Sequence, residues 1–258
     1  MIGLYLAQAW AAVRTSFADR ANFALQMGGM VLNDVFFLAL WVMFFAGFRS
    51  VGGWTLSDTA LLVGMMMVVF GFAGVFLGGY RDLAAALLRG DLDGLLTQPK
   101  PLLPQLLARE SSAAAWGDIV AGAVVLAVAD LSWRDLPLLA VGLVAGLTVY
   151  LSAAISFACM AFWTAGARTL ARDLTDFTVM FSSNPAALIS DVTKVIAFTV
   201  LPAGFVVAMP VRFIREPGLP VLAVVLAAAA GYAAVAAGLF ALGLRRYRRG
   251  AAPSLGGV

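Results

Sequence analysis

The sequence contains no histidine and only one cysteine, Cys159, among its 258 residues. The absence of histidine excludes histidine-based acid–base catalysis, histidine metal sites and histidine proton relays. A single cysteine excludes an intrachain disulfide and a cysteine-ligated metal cluster. Because Cys159 lies inside an apolar run, we expect it to pack as a small hydrophobic residue.

Charge is also scarce, since only 12% of the residues are charged and 62% are hydrophobic. The mean hydropathy is +0.96, whereas soluble domains carry about 25% charged residues. Such a composition is typical of a chain that faces lipid. We therefore expect one integral membrane domain over residues 1–258. The start, MIGLYLAQAWAAVR, lacks the basic region of a signal peptide, so we expect no cleavage.

Motifs of catalysis and nucleotide binding are missing as well. The sequence has no G-x-x-x-x-G-K-[ST] loop, no G-x-S-x-G elbow and no H-E-x-x-H pair, so it predicts no enzyme and no ATP site of these kinds. Two carboxylate pairs, Asp91/Asp93 and Asp173/Asp176, lack the further ligands that a metal-dependent lipid enzyme needs. We expect these carboxylates to cap helices and to dock partners.

Six apolar runs predict six transmembrane helices, because a crossing helix needs about 20 apolar residues. The predicted spans are 23–48, 59–79, 111–129, 137–165, 189–210 and 219–244. The fifth run contains Asp191 and Lys194, which we expect to form a local ion pair, and it is broken by Pro202. A second layout fits equally well, in which the fifth span begins near Arg168 and 189–220 forms a re-entrant hairpin on the outer side.

The positions of lysine and arginine predict the orientation, because cytoplasmic loops are enriched in them. With the N-terminus inside, 13 of the 17 basic residues fall in inner segments. The other four lie in outer loops, namely Arg49, Arg134, Arg212 and Arg215. We therefore expect both termini in the cytoplasm.

The N-terminal residues 1–22 carry one apolar stripe at helical spacing. Its members are Leu6, Trp10, Val13 and Phe17. The pattern favours an interfacial helix in the headgroup layer ahead of the first span. A cytoplasmic extension of the first span is the alternative.

The segment between the second and third spans, residues 80–104, is unusually charged for a membrane connection. Leu83, Leu87 and Leu88 share a helical face, and Gly90 is placed to end that helix. Asp91 is placed to cap a further turn containing Leu92, Leu95 and Leu96. Such amphipathic turns suit a socket in a partner protein, but a solvated loop on the headgroups fits the same residues.

Two acidic residues lie inside predicted spans. Asp34 follows Asn33 in the first span, and Asp118 lies near the start of the third. Charged residues in a membrane usually face the bundle interior or a polar path. Asn33, Asp34 and Asp118 are thus candidates for a substrate path or for interhelical polar contacts, and the sequence leaves both open.

Two stretches resemble the membrane subunits of ABC exporters, in the permease superfamily called type two and its uncharacterised small branch of six-span proteins. One is LLRGDLDGLLTQPKPLLPQLL, residues 87–107, similar to that branch's Gly-Asp-Leu-Asp, leucine and proline pattern. The other is NPAALISDVTKVIAFTVLPAGFVVAMP, residues 184–210, with its spaced prolines. The order of elements extends the resemblance over nearly the whole chain.

The resemblance implies an all-α permease in a bacterial inner membrane. A second permease, identical or different, would pair with it above two cytoplasmic ABC ATPases. ATP and Mg²⁺ would bind the ATPases, so this chain would bind no cofactor and no nucleic acid. The segment 80–104 would contain the coupling helix, with the motor contact at Leu87, Arg89, Asp91, Leu92 and Asp93. Alternating access would then export a drug, lipid or glycoconjugate.

Two other function classes remain open from the residues. A secondary transporter would couple ions through Asp34 and Asp118, although the chain has no internal repeat of the kind that builds many such transporters. An intramembrane lipid-modifying enzyme would use the carboxylate pairs named above. Stable transport without an ATPase partner would favour the first of these alternatives.

Overall fold

The computed structural model describes residues 2–98, 100–184 and 198–250. Within this part of the chain every regular element is helical. The longer helices are α1 (Ile2–Ser16), α2 (Arg20–Gly47), α3 (Leu56–Phe76), α7 (Ala114–Val128), α8 (Leu136–Cys159), α9 (Ala167–Ser182) and α11 (Leu219–Arg248). The shorter ones are α4 (Leu83–Arg89), α5 (Asp93–Leu96), α6 (Leu102–Leu107) and α10 (Met209–Arg215), with 3₁₀ turns at Gly78–Tyr80 and Met160–Phe162 and a π-helical turn at Gly204–Ala208.

Four of the described helices are long and apolar enough to cross a membrane, namely α2, α3, α8 (with its following 3₁₀ turn) and α11. The prediction of an all-α membrane protein is thereby confirmed. The predicted third span corresponds to α7, which has 15 residues and is about 22 Å long at ~1.5 Å per residue. It is shorter than the ~30 Å hydrocarbon core of a bilayer.

A tight turn joins α2 to α3. Val51 and Trp54 exchange two backbone hydrogen bonds of 3.0 Å, and the intervening Gly52 and Gly53 have φ of 56° and 83°. Positive φ at both central residues is the backbone of a type I′ turn, which glycine adopts without steric cost. Helices α2 and α3 therefore run antiparallel.

Helix α3 lies at the centre of the bundle. In its most apolar 18-residue stretch 78% is buried, whereas the corresponding buried fraction is 11% for α2 and for α11. Its glycines serve internal packing. A Cβ on Gly71 would lie 2.9 Å from the Ala115 carbonyl oxygen, and one on Gly74 would lie 2.6 Å from the Ala115 Cβ. These glycines let α7 approach α3 closely, which the sequence alone could not distinguish from packing against a second subunit.

The bundle has two ends, which we call proximal and distal. The proximal end holds α1, α4, α5, α6 and the C-terminal turn of α11. The distal end holds the α2–α3 turn, the loop between α7 and α8, and the end of α10. The N-terminal helix packs at the proximal end through Val13, which is 1% exposed, while Trp10 and Phe17 are more than 40% exposed.

Helix α9 lies along α8 and enters the bundle. Val179 lines the same cavity as Tyr150 and Ala154 of α8, and the Ser182 hydroxyl donates a 3.4 Å hydrogen bond to the Ala203 carbonyl. Residues 182 and 203 therefore lie at the same depth. The predicted ion pair of Asp191 and Lys194, and the first part of the predicted span 189–210 (residues 189–197), fall outside the described residues.

From Ala203 the chain runs along α8 to the distal end. A Cβ on Gly146 of α8 would clash with the Val206 carbonyl, and one on Gly142 would lie 3.2 Å from Pro210. Helix α10 then ends at Arg215, whose side chain contacts the N-terminal turn of α3. The described part of 198–215 thus occupies only the distal half of the bundle.

Candidate functional site

The proximal segment 80–104 folds back onto its own bundle. Leu83, Leu87, Leu88 and Leu92 are at most 3% exposed. Helix α4 packs against α8, α9 and the turn Met160–Phe162. Leu87 and Leu92, two of the five residues predicted at the motor contact, are therefore part of the core of this chain. Their role in this structure is to hold the segment to the bundle.

Helix α4 ends where the sequence predicts. Gly90 has φ of 82°, the left-handed conformation that ends a helix. The prediction that Asp91 caps the next turn is wrong, because the N-cap of α5 is Leu92 and no side chain caps it. The Asp91 carboxylate instead lies 3.0 Å from Arg89 and 3.6 Å from Arg109. Two guanidinium groups within 4 Å attract this carboxylate more strongly than a backbone N–H does.

Arg89 is the centre of an exposed ion-pair cluster. Its Nη2 lies 2.6 Å from Asp82 and 3.0 Å from Asp91. The hydrogen bonds to Asp82 and then to Asp91 raise the pKa of the Arg89 guanidinium above its ordinary value. Since one side of α4 is buried and the other carries these charges, the segment presents a polar surface outward.

The C-terminal turn of α11 is tied to this segment. The Tyr247 hydroxyl donates a 2.8 Å hydrogen bond to Asp93 Oδ1. Asp93, Gly94 and Thr97 are exposed, and no atom outside the local helix lies within 4 Å of a Cβ built on Gly94. The surface formed by Arg89, Asp91, Asp93, Gly94 and Thr97 is called the proximal polar surface below.

A cavity of about 710 Å³ with several charged side chains in its lining lies inside the bundle next to this segment. Asn33, Asp34 and Asp118 all line it, so the structure brings together the three intramembrane polar residues that the sequence singled out. Asp34 is 4% exposed and Asp118 is 8% exposed. Asp34 of α2 and Asp118 of α7 lie near each other because Gly117 allows α7 to pack closely against α2. A Cβ on Gly117 would lie 2.7 Å from the Met27 carbonyl oxygen.

Sequence reasoning missed a second polar group in the lining of this cavity. The hydroxyls of Tyr80 and Tyr150 lie 2.9 Å apart, and Arg81 Nε donates a 3.0 Å hydrogen bond to the Tyr80 hydroxyl. Tyr80, Arg81 and Tyr150 all line the cavity. The two tyrosines are 70 positions apart, so no local pattern indicates their contact. The only signal in the sequence for this group was the charge of Arg81, close to the end of the predicted span 59–79.

The rim of the cavity carries the first turns of α9 and the start of α4. Arg168, Arg172 and Asp176 come from α9, and Asp82 and Ala84 come from the α4 segment. As their spacing predicts, Arg172 and Asp176 pair, at 3.9 Å on an exposed surface. The cavity thus opens toward the proximal end, beside the proximal polar surface.

The distal end is held by Arg215. Its Nε lies 2.9 Å from Asp58 Oδ1 as an ion-pair contact, and its two other nitrogens donate to the Ser57 hydroxyl at 2.8 Å and to the Asp130 carbonyl at 3.0 Å. Asp58 is fixed by a capping box with Thr55. One side chain therefore joins α10, α3 and the loop after α7.

Comparison with known proteins agrees with this architecture. The model of the ABC-2 family transporter proteins matches residues 31–250. The chain belongs to this family. The match covers most of the described helices, from the middle of α2 to the end of α11. The comparisons found no match among curated proteins or among solved structures.

As an ABC-2 family transporter protein, the chain is a multi-pass membrane permease of an ABC transporter. Permeases of this family associate with ABC ATPases, and the resemblance found in the sequence is thereby confirmed at the family level. The family match assigns no substrate and no role to a single residue. Those questions depend on the cavity and on the proximal polar surface.

Proposed function

We propose that this permease is the membrane-spanning subunit of an ATP-driven exporter and that its ATPase binds the proximal polar surface. A second permease, identical or different, and two cytoplasmic ATPase subunits complete the transporter. It lies in a bacterial inner membrane with both termini in the cytoplasm. Substrate leaves the cytoplasm by alternating access through the cavity lined by Asn33, Asp34 and Asp118.

The observation that carries this proposal is the shared position of the segment and the cavity. Asp82 and Ala84, at the start of α4, line the cavity, while Arg89 and Asp93 are on the outer surface of the same segment. Leu87 and Leu92 anchor the segment in the core. An element that is anchored in the core and contacts both the partner and the cavity can transmit a movement of the partner to the cavity.

Charge supports the cytoplasmic placement of the proximal end. In the described part of the chain, Arg89, Arg109 and the group Arg245, Arg246, Arg248 and Arg249 lie there. Arg49, Arg134, Arg212 and Arg215 lie at the distal end. This distribution follows the positive-inside rule, so the proximal surface would face the compartment that contains ATP.

Helix α9 completes the proposed span layout. Because residues 182 and 203 meet inside the bundle, we favour the layout in which the fifth span begins near Arg168 and the described residues 203–220 belong to the outer half. In this layout six membrane-crossing segments would be α2, α3, α7, α8, α9 together with the described residues 203–215, and α11. Arg172 and Asp176 then lie at the cytoplasmic rim of the cavity.

The test is association with the ATPase after changing one exposed residue. Gly94→Arg places a bulky cation in open space on the proximal polar surface, with no contact inside this chain to disturb. We expect an ABC ATPase to co-purify with the unchanged permease from native membranes and to be lost with Gly94→Arg. Gly47→Arg is the matched control, because Gly47 is also in open space but lies at the distal end.

Three results would contradict the proposal. One is full retention of the ATPase by Gly94→Arg, which would place the motor contact elsewhere. Another is transport by the purified permease in vesicles without any ATPase, which would favour a secondary transporter coupled through Asp34 and Asp118. Equal loss in Gly94→Arg and Gly47→Arg would indicate a general defect and would also count against the proximal polar surface.

A further inference from the structure

Asp34 carries a buried polar atom without a partner. Its Oδ2 is inaccessible to solvent and has no hydrogen-bond partner among the described residues, and the residue as a whole is 4% exposed. Its carboxyl group lines the large cavity. A carboxylate inside a bundle is costly unless a positive or hydrogen-bonding group compensates it. Because Asp34 lines the cavity, a cationic group bound there would lie next to this uncompensated residue.

The charges around the cavity do not balance. Asp118 interacts electrostatically with both Asp34 and Arg81, so two deep carboxylates share one guanidinium. At the rim, Asp176 pairs with Arg172, and Asp82 pairs with Arg89, which lies outside the cavity. The described lining as a whole holds five carboxylates and three arginines. The two buried acidic residues, Asp34 and Asp118, therefore outnumber the one arginine near them.

Much of the remaining lining is apolar or aromatic. It includes Met30, Phe37, Met66, Met67, Phe70 and Tyr150. Aromatic rings attract a cation over their faces, and methionine adapts to ligands of irregular shape. A volume of about 710 Å³ falls within the ~300–1,000 Å³ of pockets that hold drug-sized molecules. These walls would bury the hydrophobic body of a ligand.

We propose that this cavity binds a hydrophobic organic cation, with Asp34 as the counter-ion of its positive group and the aromatic and methionine residues around its apolar body. This inference rests on the proposed function, because it names the substrate class of the path proposed there. A bare metal ion fits less well, since the described residues contain no group of three or more acidic, cysteine or histidine ligands. The Arg81 guanidinium would compensate the charge of Asp118, and the Asp34 carboxylate would remain available to pair with the ligand.

The test is binding of tetraphenylphosphonium to the full-length permease in lipid nanodiscs, with no nucleotide and no ATPase. Tetraphenylborate is the comparison ligand, because it has nearly the same shape and the opposite charge. Asp34→Asn keeps the side-chain volume and removes the charge. Asp173→Asn is the matched control, since Asp173 is exposed on α9 and does not line the cavity.

We expect saturable binding of tetraphenylphosphonium and none of tetraphenylborate. Asp34→Asn should weaken binding by about tenfold or more, as expected for the loss of one close charge pair in a desolvated site. Asp173→Asn should change it less than about twofold.

Unchanged affinity in Asp34→Asn, equal binding of the two ligands, or no binding of the cation would overturn the inference. The assay contains no ATPase. A negative result in this binding assay would therefore not contradict the proposed motor contact. Loss of the motor contact, in turn, would not alter the affinity for the cation.

Discussion

Replacing Arg215 with glutamine should lower the thermal stability of the permease, whereas the same change at Arg212 should leave it nearly unchanged. Both arginines are on α10, three positions apart. Arg215 and its partner Asp58 have side chains 28% and 24% exposed. Arg212 pairs with Glu216 at 3.1 Å, but these side chains are 61% and 67% exposed. The comparison therefore separates a shielded contact from a solvated one on the same helix.

The expected loss of stability follows from the contacts that each arginine side chain makes. Arg215 donates to Ser57 and to the Asp130 carbonyl and pairs with Asp58. Hydrogen bonds to charged groups contribute about 1.5–3 kcal/mol each when well shielded, and partial exposure reduces this. We expect a loss of about 2 kcal/mol for Arg215→Gln. The exposed pair of Arg212 contributes at most about 0.5 kcal/mol.

The only cysteine, Cys159, allows thermal unfolding to be followed by thiol labelling. Cys159 is buried, so a thiol-reactive fluorescent dye labels the protein only when the bundle opens. A loss of 1 kcal/mol shifts the melting temperature of a chain of this size by about 2–4 °C. Arg215→Gln should therefore melt about 4–8 °C below the unchanged protein, and Arg212→Gln within about 2 °C of it.

Equal shifts for the two arginine variants would refute this reasoning, because they would show that burial of the pair does not matter. No shift for Arg215→Gln would do the same. A double variant with Asp58→Asn supplies a further check. Its loss should be smaller than the sum of the single losses, since each change removes the same ion pair.

Two further predictions concern packing and orientation. Gly117→Ala should destabilise the bundle by about 1–3 kcal/mol, the usual cost of overpacking, because its Cβ would lie 2.7 Å from the Met27 carbonyl oxygen. Gly28→Ala, on the facing helix α2 and in open space, should instead gain up to about 1 kcal/mol from helix propensity; the dye assay measures both, and a loss of equal size in each would contradict the packing argument. A cysteine introduced at Glu216 should react with a membrane-impermeant maleimide applied to intact cells, and one at Thr97 should react only after lysis. Both positions are exposed, and the reverse pattern would invert the proposed topology.

Local features of this chain were predictable because each depends on residues close in sequence. The all-helical membrane class follows from apolar runs long enough to cross a bilayer. The end of α4 at Gly90 follows from the ability of glycine to adopt the left-handed conformation. The pairing of Arg172 with Asp176 follows from a spacing of four on a helix.

The partner of Asp91 could not be predicted locally. A capping role suits an aspartate after a glycine, but Arg109 comes from the segment after α6, 18 positions away. Tertiary folding brings this second guanidinium to Asp91, and the ion pairs replace the cap. The burial of Leu87 has the same origin, because α4 packs against α8, α9 and the turn Met160–Phe162.

The sequence by itself determined that this is a helical membrane protein, because composition and apolar run length are summed along the chain. It also singled out Asp34 and Asp118 as unusual inside apolar spans. Only the tertiary structure placed both in one cavity with Arg81, Tyr80 and Tyr150. Glycines let α7 pack closely against α2 and α3, and such contacts between distant helices leave no periodic signal in the sequence.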